Sequence, residues 1–537
     1  MPNTLKRFSL LLVVSFLTIN CTSVEKFNKQ LAKPIPVEKL QKDINFTQQK
    51  LEKYYPNLYG YIPKKELDAK FDSIRKVVSK PMTSKEFYFV ISPLIASVRQ
   101  GHMTMSPVLK RLPKNEAKRI KKAGDGPLIQ FDYEWQKDKL YIVKNKSKNK
   151  NIKIGTEIVS VNAITPQSIY SKYRKSFTSD GFNTTFLRKF FSKRYTTFML
   201  NEIGINDSLT FQFKHKDSLF TQVIGRFKSN DKKAKTSLLN DTTKVVIDSS
   251  KALVKAPVSK VNLKAERKKK RIYGYDETTK EFAKTFRIVE EHPEVAVLRI
   301  RNFSKGNYTR IYEEVFDTIA SKKIETLIID IRDNPGGRVA DVVDLYSYLT
   351  DKPYTILQPA LVTSKTSLWK TGVFKQLPKW SYPIVGSVYP IYMGFSFLRT
   401  TKNDDGTFQY KLTGSKQRTN DPQHFTGKIY VLINGGSFSA SCILSSSLKS
   451  HPNVTFVGEE TGGAYNGTVA GLMPLVNLPN SKIPLRLGLM DIRTINQTNV
   501  DGRGIFPDKE IIPTIEDKVN GKDPEMDWIL EQIKSAK

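Results

Sequence analysis

The sequence predicts a multi-domain α+β protein whose C-terminal half is an α/β unit built on a mostly parallel sheet. Three patterns carry this. From Glu294 on, continuous apolar strands alternate with helical stretches, as in a sheet covered on both faces. Residues 37–112 repeat apolar positions at helical spacing, and residues 124–225 alternate short β-like runs with polar turns. A length of 537 residues leaves room for several such units at roughly 100–200 residues each. With 39% hydrophobic, 11% aromatic and 26% charged residues, the chain is not mainly disordered, collagen-like or a multi-span membrane protein.

The elements follow in order. Lys6 and Arg7 precede an apolar run from Phe8 to Ile19, the layout of a secretory signal (residues 1–20). The run is shorter than the ~20 residues a membrane span needs. Cys21 then resembles the lipid-bearing first residue of a bacterial lipoprotein, with residues 21–36 as tether. That reading implies an exported protein of a bacterial cell envelope, held by a lipid anchor in the periplasm or at the cell surface. Leu40, Ile44, Leu51 and Tyr55 share one helical face, and Thr83-Ser84 before Lys85-Glu86 marks a helix start, giving a helical domain at 37–118. In the β-rich unit 124–225, the segment Ile154 to Asn162 resembles the strand of a PDZ domain that leads into an asparagine. PDZ domains take chain termini by strand addition.

Residues 226–271 hold fifteen Lys or Arg and four acids, a balance of +11 with almost no aromatics, and read as a solvated linker. The core at 272–515 begins with the strand Val295 to Ile300. A helix follows from Tyr308 to Ala320, then a strand from Leu327 to Ile331 ending in Asn334-Pro335-Gly336-Gly337. A helix spans about 339–349, and residues 351–425 give no regular period. The strand Ile429 to Ile433 ends in Asn434-Gly435-Gly436, followed by a helix over about 439–450 and a strand over 454–457. Residues 516–537 form a C-terminal helical tail.

The net charge of +35 invites a nucleic-acid reading. Its distribution argues against one. Two charges leave with the signal, eleven sit in the 226–271 tract, and the remaining +22 is diffuse. The tract lacks interleaved aromatics for base stacking. Only Cys21 and Cys442 occur, so the mature core has no disulfide framework and no Cys-based zinc site. No cofactor and no metal is expected.

Open α/β sheets place their sites at the carboxyl ends of strands. Two glycine-rich turns lie at such ends, and the second, Gly435 to Ser441, runs directly into a helix. A serine there sits near the positive end of the helix dipole. Adjacent glycines let backbone N–H groups approach a substrate carbonyl oxygen. On these residues alone, a helix cap and a catalytic serine both remain open.

Four segments occur in order: Leu327–Gly337 (LIIDIRDNPGG), Leu432–Leu444 (LINGGSFSASCIL), Val457–Gly463 (VGEETGG) and Asp501–Asp508 (DGRGIFPD). Together they resemble the tail-specific, or C-terminal-processing, serine peptidase family. The resemblance implies a core similar to the crotonase-like fold, polypeptide substrates and Ser439 as nucleophile. The family's lysine-using branch would place its base at position 464, where this chain has Ala464. The chain is instead similar to the histidine-using branch, of which the tricorn protease core is one example. That branch implies His102 as base, from Arg99-Gln100-Gly101-His102, and Asp501 as the group that orients it. Histidine suits the role, since its ordinary pKa is near neutral. The oxyanion hole would be the N–H of Ala440 with one from Gly336 or Gly337. Glu459 and Glu460 read as surface acids, Cys442 as a packed thiol and Asp508 as a turn cap. The rival readings are a catalytically inactive binding protein on the same scaffold and a polyanion binder.

Overall fold

In the computed structural model the described residues are 23–228, 260–370 and 377–535. The signal-like segment, Cys21 and residues 229–259 of the basic tract lie outside them.

Helices Val37–Tyr54, Lys64–Val77 and Ser84–Ala96 make the N-terminal unit. Thr83 caps the third: it accepts from the Glu86 N–H while the Glu86 carboxylate accepts from the Thr83 N–H. Leu40, Ile44, Leu51, Phe87, Ile91 and Ile95 are fully buried between them.

A five-stranded antiparallel sheet follows in sequence order: Phe131–Gln136, Lys139–Asn145, Glu157–Val161, Ser208–His215 and Ser218–Gly225. Phe131, Leu140, Ile142, Phe211 and Phe213 alternate onto its inner face. Helices Pro166–Tyr173 and Thr185–Ile203 cover that face. The longer helix, of 19 residues, falls where the sequence reading gave only strands and turns. Its aromatics and cations are spread over all sides, so no apolar stripe marks it. The helix is held by tertiary burial of Phe191, Tyr195 and Met199.

The core sheet has six strands. In spatial order these are Lys509–Glu510, Val454–Gly458, Lys428–Ile433, Thr326–Asp330, His292–Ile300 and Lys284–Val289. The first five are parallel, and the last is antiparallel to its neighbour. Each new parallel strand adds to the same edge, so crossovers of constant hand put their helices on one face. Tyr308–Ser321, Val339–Ser347 and Ala440–Leu448 pack there. Helix Pro524–Ser535 covers the other face with Met526, Ile529 and Ile533.

Two regions organise differently from the sequence reading. The end of the basic tract runs into the core as a helix, Lys260–Tyr273, anchored by buried Ile272 and supported by a Glu266–Lys270 pair at 3.1 Å. Within 351–425, the short strands Ala360–Val362, Thr400–Lys402 and Phe408–Tyr410 join Met490–Arg493 and Gly467–Ala470 in one antiparallel sheet. A further sheet, of three strands, joins the two halves of the chain. Thr104–Met105 pairs with Pro484–Arg486, so the segment after His102 is laced to the core.

Candidate active site

Both glycine-rich turns stand at the carboxyl ends of neighbouring parallel strands, Thr326–Asp330 and Lys428–Ile433. Side chains and backbone lock them together. The Phe438 N–H and the Ser441 hydroxyl both donate to the Asn334 carbonyl, at 2.9 and 3.0 Å. Fully buried Ser437 donates to the Ile331 carbonyl at 2.8 Å. Held on both sides, Ser439 takes φ +58° and ψ −118° immediately before helix Ala440–Leu448. A positive φ at a non-glycine residue costs on the order of 1–3 kcal/mol and persists only where the surroundings impose it. The half-buried serine is thereby lifted out of the turn toward the helix N-terminus.

Gly336 explains how closely the turns approach. At φ +93°, any Cβ would stand 2.7 Å from the Ala440 nitrogen and 2.8 Å from Ser439 Cβ. Of the expected oxyanion donors, the Gly336 N–H is occupied by Asn334 Oδ1 at 2.8 Å. Among the described residues the N–H groups of Gly337 and Ala440 have no acceptor. The pair available to a ligand oxygen is therefore Gly337 with Ala440, and Gly336 serves by its missing side chain.

His102 lies against residue 438. Its ring meets the Phe438 ring edge-on, with centroids 5.1 Å apart, and Phe186 stacks on the other side of Phe438 at 4.6 Å. His102 Nε2 is buried without a hydrogen-bond partner, and among the described residues Ser439 Oγ makes no hydrogen bond. His102 thus packs on Phe438, the residue that precedes Ser439, and no hydrogen bond joins the imidazole to the serine. Burial, helped by the Arg486 guanidinium, pushes the imidazole down to about 4, so the ring is neutral at pH 7. The other histidines are engaged elsewhere: His451 with Tyr346 at 2.7 Å, His215 with Thr156 at 3.1 Å, His424 with its own loop, and His292 beside Glu294.

Asp501 does not join His102. Its half-exposed carboxylate accepts from Asn466 Nδ2 at 3.2 Å and lies 4.0 Å from Arg493 Nη1. The acid that stands beside the histidine loop is Asp180, which the sequence reading missed. Fully buried, its Oδ1 accepts from the Gly101 N–H at 2.8 Å and from the Thr468 hydroxyl at 3.1 Å, and its Oδ2 has no partner. Burial raises its carboxyl to about 6, against the opposing pull of those two donors. Ser179-Asp180-Gly181 reads in sequence as an ordinary turn, and nothing local signals that the carboxylate is enclosed.

Glu459 and Glu460 are buried rather than on the surface. Glu459 pairs with Arg188 at 2.7 Å, and Glu460 pairs with Arg503 at 2.7 Å while accepting the Gly504 N–H at 2.8 Å. They tie the site loops to helix Thr185–Ile203 and to the 501–508 segment. Cys442 is buried, its thiol pushed up to about 12 by desolvation. Asp508 accepts the Phe456 N–H at 2.8 Å and pairs with Lys449. A charged cavity of about 230 Å³ lies between the sheet domain, the core and the C-terminal helices, and includes neither Ser439 nor His102. Its groups are engaged in ion pairs such as Lys189–Glu134 at 3.0 Å and Arg332–Asp523 at 2.7 Å. Among the described residues no cluster of His, Cys, Asp and Glu could hold a metal ion.

Known proteins resemble this chain in sequence and in fold. A carboxy-terminal-processing protease of Bartonella bacilliformis is 34% identical over 119 residues, covering 20% of this chain and 26% of that protein. A tail-specific protease of Haemophilus influenzae is 23% identical over 236 residues, 43% of this chain and 26% of that protein. The matches thus span about a quarter of each relative. Among solved structures, mature CPAF complexed with lactacystin superposes with a TM-score of 0.57 over 93% of this chain and 98% of its own, at 15% identity, a likeness of fold. Residues 294–511 match peptidase family S41, and this part of the chain is a peptidase family S41 domain.

Proposed function

We propose that the protein is a serine endopeptidase that cuts polypeptides through an acyl-enzyme on Ser439. The observation that carries this is the Ser439 turn, a strained serine at a helix start with two unoccupied N–H groups and a neutral histidine packed on the adjoining Phe438. Ser439 Oγ attacks the peptide carbonyl carbon, and its proton passes to His102 Nε2. The carbonyl oxygen, now negative, accepts from Gly337 and Ala440; one such donor is worth about 3–4 kcal/mol of barrier. His102 returns the proton to the departing amine. Water, deprotonated by His102, then releases the acyl group. The approach of Nε2 to Oγ belongs to the substrate complex, since such bonds are commonly long in free enzymes.

Orientation of His102 is the point at which two acids compete. Asp501 has the place the family resemblance implies, while Asp180 holds the histidine loop through Gly101. The edge strand Ser218–Gly225 exposes Leu219 and Val223, a surface suited to adding a substrate strand in the manner of a PDZ domain. Export and lipidation at Cys21 complete the reading: an enzyme of the bacterial envelope acting on proteins there.

Labelling with a fluorophosphonate tests the proposal. The wild-type protein reacts, and Ser439→Ala and His102→Ala do not. A wild-type protein that stays unlabelled across pH 5–9 would leave the binding-protein reading in its place. Deleting no domain but replacing Leu219 and Val223 by glutamate should change which peptides are cut; unchanged selectivity removes the strand-addition role.

A further inference from the structure

Helix Tyr382–Leu398 is built inside out. Over 17 residues it carries no Asp, Glu, Lys, Arg, His, Asn or Gln. The face turned toward the protein is the polar one. Tyr392 donates to the Leu368 carbonyl at 3.0 Å, Tyr389 donates to the Trp369 carbonyl, and Trp369 Nε1 donates to the Met393 carbonyl at 3.2 Å. Ser396 is the one fully buried residue of the helix. The apolar side chains point outward: Trp380, just before the helix, is 75% exposed, Ile384 62%, Ile391 72% and Leu398 80%. Val388 and Phe395 are exposed between them. A patch of this kind on a folded protein marks a contact surface.

We propose that this helix lies flat in the surface of an anionic lipid bilayer, with Trp380, Ile384, Val388, Ile391, Phe395 and Leu398 below the headgroups. Its length of about 26 Å is that of an in-plane element, short of the ~20 residues that cross a bilayer. Among the described residues no helix is long and apolar enough to span. The charge around it is complementary to anionic lipid. The 351–425 region holds ten Lys or Arg against four Asp and no Glu, within a chain of net +35. Two of these cations frame the apolar face itself. Lys365 Nζ stands 4.1 Å from the centre of the Phe397 ring, and the Arg399 guanidinium 5.1 Å from that of Phe395. Cations at the rim of an apolar helix with tryptophan and tyrosine at one end are what interfacial binding requires. A second copy of the chain suits the face less well. A helix pair buries one seam and is steered by flanking charges, whereas here exposure runs around most of the circumference and the helix offers no charge to steer with.

The test uses the full chain carrying Cys21→Ser, so that no acyl chain contributes. Flotation with vesicles of phosphatidylglycerol and phosphatidylcholine is compared with phosphatidylcholine alone, before and after Ile391→Glu/Phe395→Glu. Both positions are solvent-exposed, and circular dichroism verifies the fold; Ile384→Gln/Val388→Gln is the uncharged second variant. The expected result is binding that prefers the anionic vesicles, weakens with salt, drops about tenfold or more in both variants, and shifts tryptophan emission to the blue in the parent only. Flotation equal in parent and variants overturns the proposal. So does a parent that sediments as a lipid-free dimer that the variants dissolve, which would make the face an interface between copies.

Discussion

Acid should silence this protein later than a free imidazole would. His102 is held at about 4 in place of 6.5, by burial first and by Arg486 second. At pH 5.5 an imidazole at 6.5 is about 9% neutral, whereas one near 4 is about 97% neutral, a difference of about tenfold in available base. The assay is the second-order rate of fluorophosphonate labelling from pH 4 to 8 at constant ionic strength. The rate should hold nearly level from pH 8 to about 5 and then fall with a midpoint near 4. Asp180, raised to about 6, adds a shallow step that Asp180→Asn removes without moving the main midpoint. Stability moves in the same direction. Between pH 6.5 and 4 the unfolded chain binds a proton at this residue that the folded chain refuses, so acid destabilises. At about 1.4 kcal/mol per pH unit the ceiling is ~3 kcal/mol, lowered because the residue as a whole is only half-buried. His102→Gln should flatten that slope in urea midpoints. A labelling midpoint near 6.5 in the wild type would refute the enclosure of His102 and its place as base.

The other expectations are these. Ser439→Ala abolishes labelling and leaves the melting temperature unchanged or slightly raised, since alanine removes only the hydroxyl. Gly336→Ala forces a Cβ to 2.7 Å from the Ala440 nitrogen and should cut labelling by about a hundredfold or more, visible beside an unshifted circular dichroism spectrum. Asp501→Asn and Asp180→Asn separate the two acids: the geometry favours the larger loss of labelling rate, a few fold, at Asp180, in keeping with its shallow step, with Asp501→Asn close to wild type. Lys284 and Asp341 form a fully buried pair at 2.8 Å, with Tyr312 also donating to Asp341 at 2.6 Å. Lys284→Met leaves that carboxylate only Tyr312 and a 3.5 Å contact to Arg338, and should cost up to about 3–5 kcal/mol in urea denaturation, most of it recovered when Asp341→Leu is added.

What the sequence made legible was what local pattern can carry. The parallel strands read clearly because burial on both faces makes them continuous apolar runs, as at Leu327 to Ile331. The cap at Thr83 and the two glycine-rich turns read clearly for the same reason, since each is a local requirement of the backbone. Helix Thr185–Ile203 stayed hidden because its phenylalanines pack on several sides at once. The strands within 351–425 are three residues long and pair with residues far along the chain, too short to show alternation. Glu459 and Glu460 read as surface acids, and nothing local marked Asp180. Their enclosure is made by contacts from residues 101, 188, 468 and 503, which no local window contains.

The two-residue ladder between Thr104–Met105 and Pro484–Arg486 also sets an order of events during synthesis. Thr104 must wait for Arg486, 382 residues later, before the segment carrying His102 is fixed. At 5–20 residues per second that is roughly 20–75 s of translation. Throughout that interval a nascent chain has its histidine but no serine beside it, and later a serine turn whose histidine loop is still unattached. On the proposed mechanism, cleavage of unfinished neighbours is therefore excluded until the last strands close on the first helices.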